Sequence, residues 1–244
     1  MRLEEVLYSQ GFGTRRICRG LIQQGLVVVG DAIDPSLDPD EFVDPHSLRF
    51  RVDGQQWMWQ ERAYLMMNKP AGYECSQRAS SHPSIYTLLP GPLRQRGGGA
   101  AAGVQAVGRL DQDTTGLLLL SDDGAFIHRL TSPKHHVPKV YEVVLRHPLT
   151  ANTCARLEAG VVLDDDPRPV KAAKADATGD CSLRLVLTQG KYHQVKRMIA
   201  AVGNRVEQLH RSAIGAVVLP DDLSPGQWRW LSADEVQLLR QPPR

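Results

Sequence analysis

The segment 108–116, Gly-Arg-Leu-Asp-Gln-Asp-Thr-Thr-Gly, carries two carboxylates in a short loop ahead of the leucine run 117–120. Asp111 follows a cation, Arg109, and the leucine run predicts a strand that is covered on both faces. A carboxylate held on such a rigid element can act as a nucleophile or as a general base. An Asp beside Gly and Thr is also common in turns and helix caps. Taken by itself, Asp111 could therefore have a structural role in a turn or cap instead of a catalytic one.

Asp113 is the second carboxylate of this loop. Two carboxylates that flank a sugar bond are the usual equipment of a glycosidase, which makes a glycosidase-like pair the alternative interpretation. The i, i+2 spacing, however, makes it hard for Asp111 and Asp113 to stand on opposite sides of one sugar. The spacing alone leaves open which of the two carboxylates is catalytic.

The composition limits the classes of protein that need to be considered. A chain of 244 residues can hold a small module and a larger domain with its own core. No apolar run approaches the ~20 residues of a membrane span, and the N-terminus lacks a signal-peptide core, so we expect a cytoplasmic protein without a membrane partner. The 4 cysteines are scattered, with no histidine at metal-ligand spacing, which favours free thiols over zinc or disulfides.

The charge is unevenly distributed along the chain. Residues 1–62 contain 7 Arg and no Lys against 10 Asp plus Glu, a net charge of −3, whereas residues 63–244 have a net charge of +5. The total of +2 is too small to indicate nucleic-acid binding by itself. Any such binding must come from local patches.

The N-terminal residues predict two helices. The first contains Leu3, Val6 and Leu7, and the second begins after Thr14 as N-cap and ends at Gly25. At about 100° per residue, this second helix has an apolar face and a cationic face. The apolar face carries Ile17, Cys18 and Leu21, and the cationic face carries Arg15, Arg16 and Arg19. The second face is a candidate RNA contact.

These helices with the segments Gly-x-Gly-Thr-Arg-Arg and Gln-Gly-Leu-Val-Val-Val-Gly-Asp resemble the S4 RNA-binding module. The resemblance implies an RNA-binding domain at residues 1–52, and a polar stretch at 53–62 then reads as a linker. The acidic stretch 31–44 opposes phosphate within a Debye length of ~8 Å unless it faces away. The alternative is a small helical docking module that does not contact RNA.

The remaining residues, 63–240, predict one catalytic domain. Strands are expected at 140–145 and 182–187, and a helix is expected from Val195 to Gly203. Strands outnumber helices without regular βαβ alternation, so we predict an α+β fold with a mixed, largely antiparallel sheet. The Gly/Ala segment 97–103 predicts a flexible loop, more simply an inert insertion than a mobile flap.

The stretch VGRLDQDTTGLLLLSDDG resembles the signature of the pseudouridine synthases, enzymes that isomerise uridine in RNA. Further segments match the family in the expected order: Asn68-Lys69-Pro70-Ala71-Gly72, Lys139-Val140-Tyr141, His193-Gln194-Val195-Lys196-Arg197-Met198 and His210-Arg211-Ser212-Ala213-Ile214-Gly215. The resemblance covers residues 2–239. It implies an isomerase that needs neither a cofactor nor a metal ion.

The resemblance also implies roles for individual residues. Asp111, the residue after Arg-Leu, is the catalytic carboxylate, either as a nucleophile on C1′ or as a base that removes a C2′ proton, and Asp113 is assigned to the turn. Arg109 contacts the phosphate or the extruded nucleotide, or alternatively pairs with an aspartate. Tyr141 packs on the uracil, and Lys196 pairs with Asp111. His193 is given a structural or RNA-contact role.

The implied partner is 16S ribosomal RNA, either free or in a small-subunit assembly intermediate. Details such as MMNKPAGYECS and SPKHH favour the small-subunit branch of the family, whose target by resemblance is U516. A monomer is the expectation for an enzyme with so large a substrate. The alternatives are a 23S rRNA target and a non-catalytic RNA-binding protein of ribosome assembly.

Overall fold

The computed structural model describes residues 1–30, 36–46, 48–97, 103–164 and 166–242. Most of the predicted Gly/Ala loop, residues 98–102, and the first part of the acidic stretch, residues 31–35, lie outside the described residues. Within the described ranges, no helix combines the length and apolar character that crossing a bilayer would require.

The described residues form short helices and strands throughout the chain. The helices are α1 Leu3–Gln10, α2 Arg15–Gln23, α3 Gly91–Gln95, α4 Gly124–Thr131, α5 Thr153–Ala159, α6 Gln194–Ala201 and α7 Ala233–Arg240. The strands are β1 Val27–Val29, β2 Arg49–Val52, β3 Gln55–Met58, β4 Tyr64–Lys69, β5 Gln105–Ala106, β6 Thr115–Ser121, β7 Lys139–Leu145, β8 Val161–Leu163, β9 Asp166–Val170, β10 Lys174–Gly179, β11 Ser182–Leu187, β12 Val206–Ile214, β13 Val217–Val218 and β14 Trp228–Trp230.

The contacts divide the chain into two compact units. Unit 1 consists of Met1–Ala63, Leu89–Gln105 and Ser121–Asp123, and unit 2 contains the rest. The predicted boundaries placed 89–105 with the catalytic domain, whereas this segment groups with unit 1. A buried arginine explains the grouping, because Arg96 lies 3% exposed and donates hydrogen bonds to Gln10, Gln60 and Asp122.

Unit 1 packs α1 and α2 beside a three-stranded sheet of order β1-β2-β3. The predicted linker at 53–62 is therefore wrong, because Gln55–Met58 is strand β3 and pairs antiparallel with β2. The polar residues of β3 conceal this strand in the sequence. It is fixed by the Trp57 ring, which meets the Phe12 ring edge to face at 5.4 Å, within the core that includes Phe50.

Helix α2 begins as predicted, since the Thr14 hydroxyl accepts a hydrogen bond from the backbone N–H of Ile17 at 3.3 Å. The buried face of this helix differs from the prediction in that it does not include Ile17. Cys18 is fully buried, but Ile17 is 51% exposed, because helix α2 packs through Cys18 and Ile22 instead.

Unit 2 is built on one large sheet. Its strand order is β10-β11-β7-β12-β6-β4-β14, with β13 paired to β12 and β5 paired to β6. Most of the recorded pairings are antiparallel, whereas β12 and β6 are parallel. The prediction of an α+β fold with a mixed, largely antiparallel sheet is thus confirmed.

Strand β6 lies in the middle of this sheet, and Leu117 to Leu120 are fully buried, as their run in the sequence predicts. Its second residue, Gly116, has φ +101° and pairs with Arg211 of β12. A Cβ at position 116 would lie 2.3 Å from the Arg211 carbonyl oxygen. Only glycine therefore permits both the left-handed backbone and the close approach of these two strands.

We expect Gly116→Ala to lower the free energy of unfolding by roughly 2–4 kcal/mol, since it adds backbone strain and a steric clash. Urea unfolding followed by circular dichroism measures this change. The matched control is Gly124→Ala at the start of α4, where φ is not positive and no atom lies within 4 Å of the added Cβ. A similar effect in both variants would show that the close approach at Gly116 is not tight.

Candidate active site

The loop that carries Asp111 is held from below by a buried lysine of β4. Lys69 is fully buried, and its ammonium donates hydrogen bonds to the carbonyl oxygens of Pro70, Gln112 and Thr114 at 2.9, 3.2 and 2.9 Å. The carbonyls of Gln112 and Thr114 belong to the loop itself, one and three residues after Asp111. Lys69 therefore fixes the backbone from which the carboxylate projects.

Backbone hydrogen bonds complete the support of this loop. The N–H of Thr114 donates to the carbonyl oxygen of Asp111 at 3.1 Å, and the N–H of Gly72 donates to that of Gln112 at 2.8 Å. The N–H of Leu110 donates to the Cys75 sulfur at 3.5 Å. Asp111 is thereby presented on a closed turn, with its side chain 28% exposed.

Two cationic or potentially cationic groups flank the Asp111 carboxylate. Lys196 on α6 places its Nζ 3.3 Å from Oδ2, and His193 places its Nε2 3.2 Å from Oδ1. The residue expected to pair with Asp111 thus lies beside it. The contact of His193 was not anticipated, and it depends on a left-handed backbone at His193, φ 47°, just before α6.

Lys196 is shared between both carboxylates of the loop. Its Nζ lies closer to Asp113, at 2.7 and 2.9 Å from the two oxygens, than to Asp111. Asp113 was assigned only to the turn, and this was incomplete, because its side chain also binds the lysine. Asp113 leaves a single ammonium to serve two negative charges.

The charges of this cluster shift the protonation equilibria in opposite directions. Burial raises the pKa of Asp113, but the hydrogen bond and positive charge of Lys196 outweigh burial, and the net pKa is lowered. Burial lowers the pKa of Lys196, but the two aspartates outweigh it, and the net pKa is raised. Both shifts favour the ionised forms near neutral pH.

A cavity of about 220 Å³ opens beside this cluster. Asp111 and Lys196 line one side, and Tyr141 of β7 contributes an aromatic ring that is 9% exposed. Tyr141 lies opposite Arg211 of β12 in the antiparallel register, so both side chains project from the same face of the sheet. The cavity therefore joins a carboxylate to an aromatic wall.

Two further cations line the same cavity. Arg211 is 2% exposed, and its Nε donates a hydrogen bond to the Leu117 carbonyl oxygen at 2.8 Å. Lys139, two residues before Tyr141, donates from Nζ to the Val137 carbonyl oxygen at 3.0 Å. Burial and the nearby charge of Arg211 lower the pKa of Lys139 to about 8.

Arg109 also lines the cavity and is exposed. The alternative role considered for it was an ion pair with an aspartate of the signature. Asp113 binds Lys196, and Asp122 binds Arg96 at 2.8 Å, so both of these carboxylates have other partners. Among the described residues Arg109 has no ion pair, and its exposed side chain lines the cavity.

The arginines of α2 belong to unit 1. Arg15 pairs with Glu5 at 3.2 Å. Arg19 pairs with Glu4 at 3.0 Å and with Asp40 at 2.7 Å. The described part of the acidic stretch therefore reaches the cationic face instead of facing away. Arg16 is exposed and has no ion pair among the described residues.

Three residues of the site received no role from the sequence: Lys69, Lys139 and Arg211. Each belongs to a segment that matches the family, so the signal was present, but the segment does not indicate where its cation lies. Their roles depend on the sheet order, which brings β4, β7 and β12 around β6. Within the described residues, no cluster of three or more His, Cys, Asp or Glu is arranged to hold a metal ion.

The arrangement suits reaction at a sugar carbon next to a planar base. A carboxylate at the cavity wall can attack an electrophilic carbon or remove a proton. The aromatic wall provides a stacking surface for a base, and the cations provide hydrogen-bond donors for its carbonyl groups.

Comparison with known families agrees with this chemistry. Residues 63–201 match the model of the RNA pseudouridylate synthases, and residues 1–33 match the S4 domain. A crystal structure of a pseudouridylate synthase superimposes with a TM-score of 0.68 at 37% identity, covering 98% of this chain and 99% of the other.

Three relatives are similar to this chain along nearly its whole length. The ribosomal small subunit pseudouridine synthase A of Yersinia pestis is 40% identical, covering 99% of each chain. Its counterpart in Salmonella typhimurium (strain LT2) is 38% identical, covering 97% of this chain and 98% of the other. An uncharacterised RNA pseudouridine synthase of Bacillus subtilis (strain 168) is 39% identical, covering 99% of each. The chain therefore belongs to the family of RNA pseudouridine synthases and carries their catalytic fold together with an S4 domain.

Proposed function

We propose that this enzyme isomerises one specific uridine of 16S ribosomal RNA to pseudouridine, with Asp111 as the catalytic carboxylate. The observation that carries the proposal is the placement of the Asp111 carboxylate at the wall of the cavity, beside Lys196 and facing a space that Tyr141 also lines. A metal ion or redox cofactor has no necessary part in this reaction, because the C1′–N1 bond can be broken by a carboxylate alone.

Lys196 is the cation beside Asp111 in this proposal. Two unit charges about 4 Å apart attract each other by roughly 4 kcal/mol at an effective dielectric of about 20, before the cost of desolvation. Because Lys196 is shared with Asp113, part of this attraction goes to the second carboxylate. The Asp111 carboxylate is thus held by a shared ammonium, in a position that suits both a nucleophile on C1′ and a base at C2′.

Tyr141 and Arg109 hold the substrate. A uridine in structured RNA must leave its stack to reach a carboxylate in a cavity, and it then needs a new stacking partner. The buried ring of Tyr141 provides that surface, and stacking on an aromatic residue is worth about 1–3 kcal/mol per base. Arg109, exposed at the mouth of the cavity, binds the phosphate of the extruded nucleotide.

The target in 16S rRNA is supported by the relatives from Yersinia pestis and Salmonella typhimurium, which are named for the ribosomal small subunit. The residues of this chain that resemble the small-subunit branch point the same way, and U516 is the uridine that this resemblance implies. The 23S rRNA is the second candidate, and a non-catalytic role in ribosome assembly is the third. An intact set of Asp111, Tyr141 and Lys196 argues against the third.

We expect Asp111→Ala to reduce isomerisation by at least ~10³-fold while changing RNA affinity less than about threefold, since the carboxylate acts mainly on the reacting atoms. The isomerisation is measured by carbodiimide-based pseudouridine mapping of rRNA, in cells that lack this protein and are complemented with the wild type or the variant. Asp113→Asn is the matched control, and it should retain most of the activity because Lys196 keeps Asp111 as its partner.

The same mapping separates the candidate functions. Loss of one small-subunit pseudouridine that only the wild type restores supports the proposal. If the lost site is U516, the target uridine is the one that the resemblance implies. A lost large-subunit site instead would move the target to 23S rRNA. If no site is lost, or if Asp111→Ala weakens activity and RNA binding equally, the role is one in binding or assembly.

Arg15, Arg16 and Arg19 form the proposed RNA contact of unit 1. Arg16 is the cation of this face that lies exposed without an ion pair among the described residues, so a phosphate reaches it at the lowest cost. Arg15 and Arg19 contribute after exchange of their carboxylate partners. The surface is thus a partly neutralised basic patch.

We expect Arg16→Ala to weaken binding of rRNA fragments whatever their sequence and to reduce the slope of log K against log salt by about 0.7–0.9, the value for one phosphate contact. The double variant Arg15→Ala, Arg19→Ala should flatten the slope further. Filter binding between 50 and 300 mM KCl, roughly the range over which such slopes are resolved, measures both. Gln23→Ala, exposed on the same helix, is the uncharged control, and an unchanged slope in the arginine variants would remove α2 from the interface.

A further inference from the structure

Arg211, which is buried, and Lys139, which is partly buried, both line the cavity, and neither has an anionic partner in the described part of the chain. The Nε of Arg211 donates to the Leu117 carbonyl oxygen, while its Nη2 is buried and has no hydrogen-bond partner there. The ammonium of Lys139 donates to the Val137 carbonyl oxygen alone. Two cations thus line the same cavity, and neither is paired with a carboxylate of the described residues.

Such an arrangement is unfavourable in the empty protein. A buried donor without a partner loses its hydration, and two neighbouring cations repel each other. Burial lowers the pKa of Lys139, and the nearby positive charge of Arg211 lowers it further. The two other cations that are buried within the described residues have partners: Arg96 pairs with Asp122, and Lys69 donates to three carbonyl oxygens.

The pair lies where a base would be held. Lys139 and Tyr141 are two residues apart on β7 and therefore share a face of the sheet, and Arg211 is the register partner of Tyr141 on β12. All three line the cavity that Asp111 borders. A base packed on the Tyr141 ring would thus have both cations within the same cavity.

We infer that Lys139 and Arg211 bind the carbonyl oxygens of the target uracil and stabilise the uracil anion that forms when the C1′–N1 bond breaks. The inference deepens the proposed function and rests on it. Uracil has two carbonyl oxygens, and the two cations supply donors without supplying a competing acceptor. Donors that are fixed before the reaction stabilise the developing charge without reorganisation.

The bond changes balance within the substrate and Asp111. The electron pair of the C1′–N1 bond leaves with the base and is delocalised over N1, O2 and O4. Asp111 either forms a bond to C1′ or takes a proton from C2′. After the base rotates, C5 bonds to C1′ as Asp111 is released or returns the proton, and the proton lost from C5 is replaced by one on N1. The two cations hold the oxygens and exchange no atoms.

The test compares Lys139→Met and Arg211→Met with the wild type on a 16S rRNA fragment that contains the target uridine. We expect kcat to fall by about 10²–10³-fold for each variant, the usual effect of removing one preorganised donor, with KM changed much less. Lys174→Met is the matched control, because Lys174 is exposed on β10, pairs with Asp176 and does not line the cavity.

Stability separates a functional cation from a structural one. Replacing a partly buried cation that has no anionic partner among the described residues by an apolar side chain of similar length should leave the urea midpoint of Lys139→Met unchanged or raise it. A structural lysine would instead destabilise the fold on removal. A variant with lowered stability and unchanged kcat would overturn the inference.

A change of the leaving group distinguishes charge stabilisation from simple positioning. RNA with 5-fluorouridine at the target position carries a base that leaves more readily as an anion, so the defect of Lys139→Met in single-turnover consumption of that nucleoside should be several-fold smaller than with uridine. A defect of equal size would overturn the anion-stabilising role. If the wild type converts uridine and both variants keep its kcat, the inference fails alone; if the wild type converts none, the proposed function fails with it.

Discussion

The active-site loop depends on one buried charge, the ammonium of Lys69. It donates to three carbonyl oxygens that converge from the end of β4 and from the turn after Asp111. Hydrogen bonds to a charged donor contribute about 1.5–3 kcal/mol each. Burial lowers the pKa of Lys69, and the charges of Asp113 and Asp111 act in the opposite direction. The loop cannot move without leaving this charge uncovered, so Asp111 keeps its position.

The sheet order then decides which groups surround Asp111. The parallel pairing of β12 with β6 requires the glycine at 116, and it brings Arg211 to the cavity that the loop borders. The antiparallel pairing of β7 with β12 adds Tyr141 to the same face. The cavity is therefore lined by the donors Arg211 and Lys139 as well as by Asp111, whose carboxylate lies beside Lys196.

The sequence predicted what is encoded locally. Asp111, its loop and the buried strand after it lie within one short stretch, and the N-cap at Thr14 is recognisable from its neighbours. The roles of Lys69 and Arg211 were not predictable, because the former acts on a loop about forty residues away and the latter through a parallel strand pairing. Strand β3 was missed for a similar reason, since its polar residues form a strand only against β2.

Unit 1 shows how acidic residues can belong to an RNA-binding module. Glu4 and Asp40 hold the guanidinium of Arg19 in a fixed position, at 3.0 and 2.7 Å. A phosphate that reaches this guanidinium must replace a carboxylate, and the exchange returns little net energy because one charged hydrogen bond is lost for each one gained. In the proposed RNA contact of α2, an isolated phosphate therefore gains little, whereas a backbone that also reaches Arg16, which has no ion pair among the described residues, gains a full contact. On that proposal the carboxylates lower the affinity for RNA in general and favour RNA whose phosphates match several arginines at once.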